Sequence, residues 1–327
     1  MELTTTQNTN IVGFLRDRGF EDEKINEMLN RCKRLQGIER EQASENWDYL
    51  KRIGIQERKL PSIVTKCPKL LALGLDEKLV PMVECLKTLG TKPRELVLAI
   101  TKFPHILSHS VEEKLCPLLA FFEALGVHQN QLGKLLMLNP RLISYSIEFK
   151  LKQIVDFLAS LGLSGEGMIG KSLVKNPFIM GYSVEKRLRP TSEFLTSIGL
   201  GELDLQRVAI NFPEVLCRDV DKVLRPNVDF LRTRGFSDAQ IAVMVTGYPL
   251  VLIKSIKNSL EPRINFLVEV MGRRIDEIQD YPDFFHHGLK KRLEFRYKLL
   301  KQKNIEYSLR EMLECNHKKF LIKFGLV

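Results

Sequence analysis

The chain has no apolar run approaching the roughly 20 residues that a membrane-spanning helix needs, which excludes a transmembrane α-helix. Its six cysteines (Cys32, Cys67, Cys85, Cys116, Cys217 and Cys315) include no C-x-x-C pair and no zinc-like histidine spacing. A disulfide framework and a structural zinc are therefore not expected, and reduced, mostly buried thiols are. The first ten residues, MELTTTQNTN, lack both the Arg-rich amphipathic character of a transit peptide and the apolar core of a secretory signal. They read as a flexible tail. No nucleophile–base pair, carboxylate dyad or metal cluster stands out, so the chain reads as a non-enzyme with no catalytic residue, metal or cofactor. His286-His287 reads as a polar turn, because no second ligand pair lies at useful spacing.

What is present is apolar content of 44%, ample for a core, and a net charge of +10. The surplus suggests a polyanionic partner. It is unevenly spread. Residues 1–60 carry 11 basic and 11 acidic side chains, whereas residues 286–327 carry 11 basic and only 4 acidic ones.

The dominant signal is repetition. Residues 65–79 read TKCPKLLALGLDEKL and residues 101–115 read TKFPHILSHSVEEKL. The proline of that phrase recurs as Pro68, Pro104, Pro140, Pro177, Pro213, Pro249 and Pro282. An apolar pair follows each anchor, such as Leu70-Leu71 or Phe284-Phe285. Six residues on stands a favoured helix N-cap: Gly74, Ser110, Ser146, Ser183, Asp219, Ser255 or Gly288. Eleven on is always leucine, from Leu79 to Leu293. Thirteen on is a second proline in five units, and seventeen on is phenylalanine in five (Phe121, Phe157, Phe194, Phe230, Phe266). Twenty-two on stand Gly90, Gly126, Gly162, Gly199 and Gly235, with Asn304 in the last unit, all suited to a left-handed C-cap.

This grammar predicts an all-α solenoid of about eight two-helix units of roughly 36 residues. In each unit one helix runs from N-cap to glycine, and a second runs to the next anchor. Ser237-x-x-Gln240 and Ser308-x-x-Glu311 are start signals for second helices. The anchor ends the second helix, because the residue before proline disfavours the α region, and a short 3₁₀ turn follows. Residues 11–36 fit the frame with Lys33 in the anchor place, so residues 11–327 read as one repeat domain. The inner proline is expected to bend the first helix. Where Gln153 and Phe295 replace it, a straighter helix is expected.

The combination P-x-L-L, S-x-E-x-K-L-x-P and F-L-x-x-x-G at this period resembles the mitochondrial transcription termination factor (mTERF) family over roughly residues 11–325. The closing segment SLREMLECNHKKFLIKF resembles that family too. The resemblance implies a superhelix whose basic groove takes duplex nucleic acid, double-stranded DNA or structured RNA. It further implies a role in gene expression in a mitochondrion or chloroplast, at transcription termination or transcript maturation. A monomer is expected, without membrane association, and other organellar gene-expression proteins are further expected partners.

Ten residues past the anchor stand Lys78, Lys114, Lys150, Arg187 and Arg292. Val223 and Ser259 interrupt the row but have basic neighbours, Lys222 and Arg225 in one unit and Lys257 in the other. Equivalent positions of a solenoid align, so these cations form a ladder expected to meet phosphates. Arg296 joins them from the C-terminal cluster Lys290, Lys291, Arg292, Arg296, Lys298, Lys301 and Lys303. A solvated helix face is the competing reading of the ladder, and a polar end cap that of the cluster. The alternative function is a protein–protein scaffold, which would show exposed apolar residues in register. The phenylalanines read as core. Residues 165–172, GEGMIGKS, match a phosphate-binding P-loop letter for letter, but they fall between two repeat helices rather than after a strand, so nucleotide binding is not expected.

Overall fold

The computed structural model describes residues 11–326, and the tail expected over residues 1–10 lies outside them. The described residues are helical with no strand. They gather into two compact units, one running through Val155 together with Gly165–Gly181, the other comprising Asp156–Ser164 and the chain from Tyr182. The repeat grammar runs through both.

Each anchor opens a short helical turn because the residue before it is held out of the α region. Cys67, Phe103, Asn139, Asn176, Tyr248 and Tyr281 all sit near φ −130 to −143 and ψ 72 to 84. Cys32 adopts nearly the same conformation (φ −129, ψ 88) ahead of Lys33, so the first unit keeps the geometry without the proline. The turns that follow, such as Lys33–Gly37, Pro68–Ala72 and Pro104–Ser108, are 3₁₀. One departs from expectation: Phe212 has ψ 46, and its turn Pro213–Leu216 is α-helical.

The first helix of a repeat begins as expected at its cap. The side chains of Ser110, Ser146, Ser183, Asp219 and Ser255 accept from backbone N–H groups one turn ahead. It then differs from the sequence reading. The opening turn is π rather than α: Leu79 N–H donates to Gly74 O, five residues back, at 3.2 Å, and Leu115 to Ser110, Leu188 to Ser183 and Leu224 to Asp219 repeat the bond. The inner proline then stands in the first turn of the α-helix that follows, as Pro81 does in Val80–Thr88 and Pro117 in Cys116–Ala124. There its missing N–H costs little. The π turn persists where proline is absent, with Leu151 bonded to Ser146 and Leu293 to Gly288, so Gln153 and Phe295 do not restore an α start. Proline fits the wide turn and does not create it.

The leucine eleven past each anchor is buried in every repeat from Leu79 to Leu293. Phe157, Phe194 and Phe266 are buried, and Phe121 and Phe230 half-buried, in keeping with a packing role. At the helix end Asn304 takes φ 50, the left-handed cap predicted for it. In the Pro249 repeat the cap comes one residue late, at Gly272, and the helix absorbs the extra residue as a second π turn, Phe266–Val270. Second helices start where predicted, with capping boxes at Ser237/Gln240 and Ser308/Glu311. The cysteines are free, and burial pushes the Cys67 thiol up to about 11.

Candidate nucleic-acid interface

The ladder cations lie on the π turns. Lys78 and Lys114 are exposed, as are Lys222 and Lys257 beside the interrupted positions. Lys150 is half-buried, and burial lowers its ammonium pKa. The residue before it, Phe149, is 82% exposed on the same turn. Arg187 is also half-buried and reaches the next repeat, where its guanidinium meets the Asp219 cap at 2.8 Å. The Lys222 backbone N–H and then Arg187 hold the Asp219 carboxyl below its usual range.

Three of the five acidic residues two places ahead of the ladder pair with other cations. Glu148 pairs with Lys152 at 2.6 Å, Glu185 with Arg189 at 3.1 Å and Asp221 with Arg225 at 3.1 Å, each four residues on. Exposed pairs of this kind contribute little stability, but they occupy the acids. Arg225, expected at the interface, is thus held by Asp221 and lies 5.3 Å over the Phe194 ring.

Two expected members are placed differently. Arg296 is 2% exposed and donates to Met312 O at 2.6 Å and Cys315 O at 2.8 Å, with its guanidinium 4.4 Å over the Phe320 ring. Arg292 donates to the carbonyls of Leu313 and Cys315. Both guanidiniums are spent on closing the last helices, where main-chain carbonyls would otherwise go unpaired. Within the C-terminal cluster, Lys290, Lys291, Lys298, Lys301 and Lys303 remain exposed.

Arg296 belongs to a position that the sequence reading missed. Fourteen residues past their anchors, Thr191, Asn227, Arg263 and Arg296 each donate to a carbonyl of the following segment. Thr191 reaches Arg218 O at 3.0 Å, Asn227 reaches Lys254 O at 2.9 Å and Arg263 reaches His287 O at 2.9 Å. Asn46, thirteen residues past Lys33, makes the equivalent bonds in the first repeat, to Leu70 O at 2.9 Å and Leu73 O at 2.8 Å. For Asn46, Thr191, Asn227 and Arg263 the acceptors lie in or just after the turn that the following anchor opens. A polar residue recurring in register with the Leu and Phe stripe was the available signal.

The P-loop lookalike has a structural occupation. Gly167 is a left-handed N-cap (φ 69) of the helix Met168–Lys175, and the Gly170 N–H is bonded to Leu125 O at 2.9 Å. A Cβ on Gly170 would lie 2.6 Å from the Gly126 backbone, so the glycines allow the helix to press on the preceding turn. Gly170→Ala should accordingly cost about 1–3 kcal/mol, while exposed Lys171→Ala should leave the thermal midpoint within a degree or so. Neither protein should show saturable ATP binding. ATP binding lost in Lys171→Ala would contradict this assignment.

His287 is buried at the Pro282 turn, its Nε2 2.9 Å from the Tyr281 hydroxyl. Burial first, and then the nearby Arg292, lower its pKa to about 3. The unfolded chain therefore binds the extra proton between pH 6.5 and 3. The contribution to stability is complete above pH 6.5 and is lost as pH falls, at about 1.4 kcal/mol per unit. Denaturant titrations should find that His287→Gln loses less stability than the wild type between pH 6.5 and 4.5, by roughly 2–3 kcal/mol.

Fold and site together define an all-α helical-repeat protein with a cationic position recurring on its repeat turns. The sequence profile of the mTERF family matches residues 12–321, and the chain belongs to that family. It is 68% identical over 327 residues, covering 99% of this chain and 98% of the relative, to an Arabidopsis thaliana protein named transcription termination factor MTERF6, chloroplastic/mitochondrial.

Proposed function

We propose that this protein binds duplex DNA or structured RNA along its repeat turns and regulates gene expression in a mitochondrion or chloroplast, at transcription termination or transcript maturation. The observation that carries the reading is the cation that recurs ten residues past the anchor in five of the seven proline-anchored repeats, with Glu148, Glu185 and Asp221 paired to other cations. Family membership and the name of the Arabidopsis relative support the compartment and the process. Lys78, Lys114, Lys150, Lys222 and Lys257 are the proposed phosphate contacts, with Arg187 and Arg225 contributing once released from their carboxylates. The protein acts as a monomer and without catalysis. Crosslinking in isolated organelles, followed by sequencing of the recovered nucleic acid, should return a discrete set of organellar sites. Recovery of proteins alone would favour a scaffold instead.

A further inference from the structure

A second row of cations crosses the first compact unit. The residue after the anchor is Arg34, Lys69, His105 and Arg141 in four consecutive repeats. The 3₁₀ turns that carry them stack one on the next, so the row follows one edge of that unit. His109 closes the Pro104–Ser108 turn in an extended conformation (φ −87, ψ 162), immediately before the Ser110 cap of the π turn that bears Lys114.

The surroundings of the two histidines are one-sided. The Lys66 backbone acts on His105, and the charged groups within its reach are Arg31 and Lys69. For His109 they are Lys114 on the ladder side, then Lys69 and His105 on the anchor side. Every one is a cation or a second imidazole, and both rings are only half-buried. Burial first, and these cations second, hold both rings below their ordinary pKa, so they are neutral at pH 7 in the free protein.

We propose that Lys69, His105, His109 and Lys114 form one phosphodiester-binding site joining the anchor row to the ladder, and that nucleic acid binds there with proton uptake by the two imidazoles. The inference rests on the nucleic-acid reading above and adds the site and its pH dependence. Acids stand on the adjoining turns, Asp76 and Glu77 on Leu75–Leu79 and Glu112 and Glu113 on Val111–Leu115, but the charged groups that act on the rings are cations, and a phosphate supplies the negative charge missing from that set. In its presence each imidazolium is favoured and gains a donor for the phosphate oxygens. The sign follows: affinity rises as pH falls through the pKa of the complex, and levels off below that of the free protein.

The test is fluorescence anisotropy at fixed ionic strength with a short labelled duplex DNA and an RNA hairpin as probes. Wild-type protein should bind its preferred probe roughly ten-fold more tightly at pH 6 than at pH 8. His105→Asn with His109→Asn should weaken binding most at pH 6 and lose the gain between pH 8 and pH 6. His109→Gln alone should lose about half of it, which keeps the test decisive if the double variant folds poorly. Calorimetry at pH 7 in buffers of different ionisation heat should detect proton uptake with wild type and not with the double variant. Lys69→Gln and Lys114→Gln should weaken binding at every pH and flatten the salt slope by about one unit each. An equal pH gain in wild type and the double variant overturns the inference and leaves the nucleic-acid reading standing. Failure of the wild type to bind either probe at any pH overturns both.

Discussion

Replacing Lys78, Lys114, Lys222 and Lys257 together by alanine should flatten the dependence of log affinity on log salt by nearly four units on duplex DNA. Each phosphate neutralised by a lysine releases condensed counterions and contributes about 0.9 to that slope. Over a change from 50 to 200 mM salt, the wild type should therefore lose roughly 150-fold more affinity than the quadruple variant. These four are chosen because they are exposed cations on the repeat turns, whereas Lys150 is half-buried and Arg187 must first leave Asp219. The thermal midpoint should hardly move, since exposed side chains away from the core rarely matter by more than about 0.5 kcal/mol. The loss should be similar across sequences, because phosphates position a protein and do not specify a site. Lys24, in the neutral N-terminal stretch and paired with Glu27, is the control and should change nothing. A quadruple variant with wild-type affinity and slope would reduce the ladder to a solvated face and favour the scaffold reading.

Arg296→Ala should do the opposite, destabilising the protein by about 3 kcal/mol while leaving the salt slope of the folded form unchanged. The substitution strands the Met312 carbonyl, leaves the Cys315 carbonyl to Arg292 alone and removes the guanidinium packed on Phe320. A buried acceptor left without a partner costs about 1–3 kcal/mol. Arg296→Lys should rescue little, because a single ammonium cannot reproduce the two-pronged donation to separate carbonyls. The damage should be local, seen as faster proteolysis after residue 305 before the rest of the chain opens. A stable Arg296→Ala protein with a flattened salt slope would return this residue to the interface.

Much of the fold was legible in the sequence because its signals are local. An anchor proline constrains the one residue before it, a serine six residues on caps the helix it starts, and a glycine or Asn304 accepts the left-handed turn that ends it. Repetition then made each weak signal strong. Family membership was readable for the same reason, since the motif recurs in register across nearly the whole chain.

The tertiary structure decided what depends on partners far along the chain. Whether a helix opens with bonds to the fourth or fifth residue back depends on packing that spacing does not encode, so the π turns ahead of the inner prolines were not legible in the sequence. Arg296 and Lys78 look alike as letters in a basic stretch. One is buried where carbonyls 16 and 19 residues away converge on it, and the other is exposed on its π turn. The lookalike loop, too, was resolved by approach: Gly170 is small because the Gly126 backbone lies against it, a contact that no spacing rule encodes.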